Sequence, residues 1–241
     1  MTPEALAWME GAACAAAAGA GLLAYAVRAP SSALLAPSVY RGARDRKAIA
    51  LTFDDGPSES TPELLDILER YRAPATFFQC GANVRRLPAV AKEVAARGHE
   101  IGNHTDTHPR LDFKSAAFIA RELGAAQESI ERATGVRPRY FRAPYGVRWF
   151  GLRAAQRRYG LTGAMWTSIA LDWKLPADRV IPRLLRGAKN GAIFCLHDGR
   201  RLEARPNVQA MLETVRQLLP KLMEQGFHFE KVTDILCPTK S

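Results

Sequence analysis

One short stretch, Thr52-Phe53-Asp54-Asp55-Gly56-Pro57, constrains this chain more than any other. The apolar run Ala48-Ile49-Ala50-Leu51 leads into it and predicts a buried strand. Two adjacent carboxylates stand where that strand ends, and the turn formers Gly56 and Pro57 follow at once. Parallel α/β sheets and barrels put their chemistry at strand C-termini. Neighbouring acids repel, so a metal ion, an arginine, or one of each must hold them ionised. A lone Asp-Asp-Gly would read as an ordinary solvated turn. What argues otherwise is a second cluster, His104-Thr105-Asp106-Thr107-His108, just beyond another predicted strand, His99–Asn103.

The rest of the chain alternates strand and helix at least six times. Helices are predicted from Thr61 to about Arg72, from Pro88 to Gly98, over Ser115–Ala133, over about Val147–Tyr159, over Asp178–Gly187 and from Pro206 to about Gln225. In the first, Thr61 is expected to cap and Pro62 to open the helix. Strands are predicted at Ala75–Gln79, Arg139–Phe141, Leu161–Ser168, Gly191–Leu196 and Phe227–Phe229. This order implies a parallel sheet with crossover helices. At 241 residues, 47% of them hydrophobic, the chain can bury one sizeable core.

Three domain-level segments are expected. Gly11–Val27 carries no charge, and residues 1–28 read as an N-terminal apolar helix that anchors the protein in a membrane. The flanking Glu4 and Glu10 differ from the basic start of a signal peptide. The folded domain is expected on the extracytoplasmic side, although Arg28, Arg41, Arg44, Arg46 and Lys47 follow the segment and the positive-inside tendency opposes that orientation. Residues 29–45 are expected to be a Pro/Ser/Ala-rich linker, and residues 46–241 the folded domain. A net charge of +10 suits an anionic partner, but the basic residues are dispersed and match no nucleic-acid-binding motif, so no nucleic acid is expected. Cys14, Cys80, Cys195 and Cys237 lie far apart and predict no disulfide framework.

Five short motifs in order, from about Ala48 to Leu236, make the chain resemble the polysaccharide deacetylases of the NodB-homology family, carbohydrate esterase family four. The resemblance implies an α/β fold, an irregular (β/α) barrel. In Thr52–Gly56 it implies that Asp54 is the general base and Asp55 a metal ligand. In His104–His108 it implies two further ligands. Asp55, His104 and His108 then supply the three protein ligands of a catalytic site with an open position. The i, i+4 spacing of the histidines suits one side of a helical turn, which Pro109 would cut short. In Arg142-Ala143-Pro144-Tyr145, Arg142 would orient Asp54 and hold it ionised, and Tyr145 would offer its backbone N–H to an oxyanion. Ile169-Ala170-Leu171-Asp172-Trp173 lacks the family's first acid. Asp172 would orient and tune a histidine, and Trp173 would wall the groove. In Cys195-Leu196-His197, His197 would protonate the departing amine. Cys195 stands where the family has a leucine against the acetyl methyl, and Leu196 is counted with the substrate-binding residues. His99 and His228 match no motif and are read as structural.

The expected activity is metal-dependent removal of N-acetyl groups from N-acetylglucosamine units of a peptidoglycan- or chitin-like polymer, with acetate as product. The cofactor is a divalent metal ion: zinc first, with cobalt and nickel compatible with the same donors. The expected partner is an acetylated glycan at the cell envelope. Two alternatives stand beside this: a hydrolase of a small non-peptide amide, and a weakly active, membrane-tethered glycan-binding protein.

Overall fold

A computed structural model gives the structure of residues 2–238, to which all counts below refer; residues 1 and 239–241 of the expected spans lie outside the described residues. In chain order the elements are α1 (Pro3–Arg28), β1 (Ser38–Val39), β2 (Ala48–Asp54), α2 (Thr61–Arg70), β3 (Ala75–Gln79), α3 (Gly81–Arg86), α4 (Pro88–Ala96), β4 (Glu100–Asn103), α5 (Ala116–Thr134), β5 (Tyr140–Phe141), α6 (Leu152–Tyr159), β6 (Thr162–Ala164), β7 (Ser168–Ile169), α7 (Ala177–Arg186), β8 (Ala192–His197), α8 (Gln209–Glu224), β9 (His228–Phe229) and α9 (Val232–Ile235). A single 3-10 turn, Pro144–Gly146, lies between β5 and α6. The strands pair in parallel in the order β1-β6-β5-β4-β3-β2-β8-β7, with β9 beside the start of β2. The result is a curled half-barrel of parallel strands wrapped by helices, in which β2 pairs with β3, β8 and β9.

The two-residue period of a strand decides which side chains reach the site. In β2, Ile49, Leu51 and Phe53 point outward into the main core, among Leu64, Leu68, Val180 and Leu219 from the covering helices. Ala48 and Ala50 point inward and pack with Phe78, Ala164 and Ile193. Thr52 and Asp54 continue that inward row. β8 follows the same rule: Phe194 and Leu196 belong to the outer core, Ile193 to the inner one, and Cys195 and His197 to a cleft at the strand ends.

This alternation corrects one sequence expectation. Leu196 is fully buried in the outer core and is not part of the cleft, because it sits between two inward-facing neighbours.

Other differences have local causes. The strand expected over Leu161–Ser168 is two strands at separate places in the sheet: β6 lies between β1 and β5, whereas β7 pairs with β8. The helix expected from Val147 starts at Leu152, after Gly151 with φ +88°. Thr61 does not cap α2; its hydroxyl accepts from the Ser58 amide at 2.9 Å and donates to Asp198 at 2.7 Å. The α5 N-terminus is capped as its sequence suggests, with Ser115 Oγ accepting from the Phe118 amide at 3.2 Å. Ile119 is buried there, while Phe118 is half-exposed.

In α1, the 21 residues Trp8–Arg28 are long and apolar enough to cross a membrane, with mean hydropathy 1.4. Its end packs on the barrel: Ala26 and Val27 are buried, and the Arg148 amide donates to the Val27 carbonyl at 3.0 Å. Residues 29–45, read from sequence as a linker, make extensive contacts with the folded body. β1 pairs with β6, Gly42 and Ala43 bond to the Gly191 and Ile235 carbonyls, and Arg148 donates to the Ala29 and Ser32 carbonyls.

Leu196→Ala is expected to cost about 2–5 kcal/mol of unfolding free energy, the usual range for a leucine deleted from a packed core. Denaturant unfolding measures it, and a loss below about 1 kcal/mol would contradict the outer-core position.

Candidate active site

The site is built on the inward row of β2. Arg142 follows β5, is fully buried, and reaches across the barrel interior. Its Nη1 donates to Thr52 Oγ1 at 2.6 Å and to Asp54 Oδ1 at 2.8 Å. Its Nε and Nη2 donate to the Ala164 and Met165 carbonyls, at 2.8 and 3.1 Å. The guanidinium also lies 4.1 Å from the centroid of the Phe78 ring. A buried guanidinium needs this many acceptors, because an unpaired charge away from water is costly.

Asp55 takes a different direction. Its φ is +72°, in the left-handed region that aspartate tolerates better than most residues. Asp54 therefore meets Arg142, while Asp55 meets the two histidines. Asp55 Oδ1 is 3.2 Å from His104 Nε2 and 2.9 Å from His108 Nε2. Its Oδ2 accepts from the Arg201 amide at 2.8 Å.

The two histidines do not share a helical turn, as their spacing had suggested; they lie on an irregular loop after β4. Thr105 and His108 both have positive φ, 67° and 55°, which folds the loop back on itself. Buried partners pin it. Asn103 Oδ1 accepts from the Thr105 amide at 2.9 Å. Glu122 of α5 accepts from the amides of Asp106 and Thr107, at 3.0 and 2.8 Å, and from the Thr107 hydroxyl at 2.8 Å. Thr105 Oγ1 accepts from the His108 amide at 3.1 Å.

These donors fit a divalent cation. One ligand atom from each of Asp55, His104 and His108 lies within 4.8 Å of the others, and all three residues are buried. His104 Nδ1 is 2.8 Å from the Arg142 carbonyl, so Nδ1 carries the proton and the Nε2 lone pair faces Asp55. Asp55 Oδ1 is buried without a hydrogen-bond partner despite its close histidine neighbours. A carboxylate oxygen facing the His104 lone pair is an arrangement that a cation stabilises.

On the other wall, His197 Nδ1 is 2.9 Å from Asp172 Oδ1, and the His197 amide donates to Asp172 Oδ2 at 2.9 Å. Burial alone would lower the His197 imidazole, but the charge and hydrogen bond of Asp172 outweigh it and push it up to about 9. Trp173 stands edge-on to the His197 ring at 4.5 Å. Cys195 Sγ is 3.4 Å from Asp54 Oδ2, and burial first, then the Asp54 charge, pushes its thiol well above the ordinary range.

Asp54, Asp55, His104, His108, Tyr145, Trp173, Cys195 and His197 all line one cleft of about 390 Å³. Arg142 lies beneath it and Asp172 behind His197. Ile169, the motif position that lacks an acid, faces the cleft as well. Tyr145 adopts φ +58° in the turn after Pro144 and packs edge-on to His108 at 4.8 Å. His99 and His228 lie elsewhere, against Phe77 and Glu230 respectively.

Sequence reasoning missed Glu122, Asn103, Trp166 and Asp198. Glu122 and Asn103 shape the histidine loop, and Trp166 lines the cleft beside Arg142. Asp198 is fully buried next to Gly56, where burial pushes its carboxyl up to about 7 against the opposing Thr61 hydrogen bond. The one signal in reach was the strand period, which marks Asp198 as the residue following an inward His197. Arg200 and Arg201 form part of the rim.

A curled parallel (β/α) barrel with paired acids at a central strand end, facing two histidines and a separate Asp–His pair, defines a hydrolase-type active centre. The profile of the polysaccharide deacetylases matches residues 41–164. A chitooligosaccharide deacetylase of a Bradyrhizobium species is 34% identical over 198 residues, covering 78% of this chain and 90% of that protein. A peptidoglycan-N-acetylglucosamine deacetylase of Listeria monocytogenes is 35% identical over 80% of this chain and 40% of its own length. Among solved structures, a pseudoenzyme of carbohydrate esterase family four from Bacillus anthracis superposes with a TM-score of 0.76 at 29% identity, covering 83% of this chain and 69% of that one. The chain belongs to the polysaccharide deacetylase family.

Proposed function

We propose that the protein is a metal-dependent hydrolase that removes N-acetyl groups from N-acetylglucosamine-containing polysaccharide and releases acetate. The observation that carries this reading is the convergence of two differently partnered acids, a histidine pair and an Asp–His pair on one cleft, in a chain of this family. The identity of relatives that are named as chitooligosaccharide and peptidoglycan deacetylases supports the substrate class. In this reading α1 tethers the domain at the cell envelope.

A divalent metal, with zinc first among the candidates, would be held by Asp55, His104 and His108 and would supply Lewis acidity toward a water and the amide carbonyl. The remaining work belongs to the chain. Asp54, oriented by Arg142, accepts the proton that the attacking water loses. His197, held by Asp172, gives a proton to the amine nitrogen as the carbon–nitrogen bond breaks. The Tyr145 amide, held in its left-handed turn after Pro144, is the proposed donor to the developing oxyanion. Trp173 and Tyr145 form apolar walls, and Cys195 sits where the acetyl methyl would pack.

A second reading, a weakly active glycan-binding protein, is favoured by the Ile169 and Cys195 departures and by the likeness to a pseudoenzyme. Acetate release from chito-oligosaccharides and peptidoglycan fragments, with small amides in the same panel, separates the readings. Wild-type activity that falls about 100- to 10,000-fold in Asp54→Asn and in His197→Ala is expected for loss of a positioned proton acceptor or donor. No acetate from any glycan, or unchanged rates in both variants, would overturn the reading.

The pH profile adds a second test. His197 must be protonated to act as an acid, and its upward shift keeps it so until about pH 9. The same shift means that the imidazolium–Asp172 pair stabilises the fold fully below about 6.5, and that this contribution is lost as pH rises through about 9. The alkaline limb of kcat is therefore expected near 9 in the wild type and at lower pH in Asp172→Asn. An alkaline limb that stays in place in the variant would contradict the pairing.

A further inference from the structure

Cys195 has no role in the proposed reaction beyond filling space, yet its sulfur is placed for chemistry. Its Sγ lies 3.4 Å from Asp54 Oδ2, and ligand atoms of Asp54, Cys195 and His197 all lie within 4.8 Å of one another. Each acid or imidazole has one atom committed to a buried partner. Asp54 Oδ1 is tied to Arg142, which leaves Oδ2 toward the thiol. His197 Nδ1 is tied to Asp172, which leaves Nε2 for the cleft. A carboxylate behind a histidine is the usual support of an imidazole that binds metal.

We propose that Asp54, Cys195 and His197 form a second metal site, selective for thiophilic divalent ions such as cadmium or excess zinc, and that its occupation inhibits the enzyme. The thiolate supplies the selectivity, because sulfur ligands favour soft and borderline cations over magnesium or calcium. Ligand atoms around tetrahedral zinc, at bond lengths of about 2.0–2.3 Å, stand roughly 3.3–3.8 Å apart, so the Sγ–Oδ2 separation already fits. The remaining closure needs side-chain shifts of about 1 Å. A fourth position opens to the cleft. Binding forms a metal–sulfur bond and releases the thiol proton to water, and His197 enters neutral by losing its own proton. The site is separate from Asp55, His104 and His108, which share none of these ligands.

Inhibition rests on the proposed function, since the ion would occupy the proton acceptor and the proton donor together. Binding does not rest on it. The test uses the full chain in a Cys14→Ser, Cys237→Ser background, which removes the two exposed thiols. Protein loaded with one equivalent of zinc is titrated with cadmium chloride. Thiolate-to-cadmium ultraviolet absorption reports the site, and acetate release reports inhibition. The absorption is expected to saturate at one equivalent, with inhibition at the same midpoint. In Cys195→Ser and Cys195→Leu the absorption should vanish and the inhibitory midpoint should rise at least about tenfold, each variant being referenced to its own cadmium-free rate. Ser is close in size to Cys, so this variant keeps the test meaningful if Leu disturbs folding. Absorption that persists in both variants, or equal inhibition of all three proteins, would overturn the site. If the zinc-loaded wild type releases no acetate, the proposed function fails while the absorption arm still decides the metal site.

Discussion

The buried guanidinium of Arg142 is the interaction on which the rest of this structure depends. It joins β2 to the far side of the barrel through Thr52, Asp54 and the Ala164 and Met165 carbonyls. Its own carbonyl holds His104 in one tautomer. One residue therefore orients an acid on one wall of the cleft and an imidazole on the other. Breaking a buried ion pair by removing one partner costs about 3–5 kcal/mol, because the partner left behind is an uncompensated charge. An arginine is needed here for its planar fork: a lysine has three donors on one nitrogen and could not reach four separated acceptors.

The site works by giving adjacent or similar groups different partners. Asp54 and Asp55 are neighbours in sequence, but a left-handed residue sends one to an arginine and the other to two histidines. His197 and the His104–His108 pair are likewise divided: one has a carboxylate behind it, while the other two face a carboxylate. The departures from the family pattern, Ile169 and Cys195, both lie on the cleft wall. Cys195 meets Asp54 at Oδ2, 3.4 Å away, and not at the Oδ1 that Arg142 holds, so the Arg142–Asp54 pair is left intact.

Much of this was legible in the sequence, and for identifiable reasons. Apolar runs such as Ala48–Leu51 and Ala75–Gln79 mark buried parallel strands, and the motif order brought Asp54, Asp55, His104, His108, Arg142, Asp172 and His197 into one reading. What stayed hidden depended on contacts far apart in the chain. Glu122 reads as an ordinary polar residue of an amphipathic helix until the histidine loop folds onto it. The i, i+4 spacing of His104 and His108 fits a helix as well as a loop, and only the positive φ of Thr105 and His108 decides for the loop. Leu196 was misread because motif membership was allowed to outweigh strand alternation. Residues 29–45 look like a linker by composition, and their attachment comes from backbone bonds that composition does not encode.

The central claim is that two neighbouring carboxylates divide their labour, Asp55 holding the metal of the reaction and Asp54 serving that reaction as proton acceptor. Equilibrium zinc binding to the full chain, in competition with a chromogenic chelator, tests it most directly. One tight site is expected in the wild type, retained in Asp54→Asn and lost in Asp55→Asn and His104→Ala. Tight binding that survives without Asp55 and His104, or that disappears with Asp54 alone, would contradict the account.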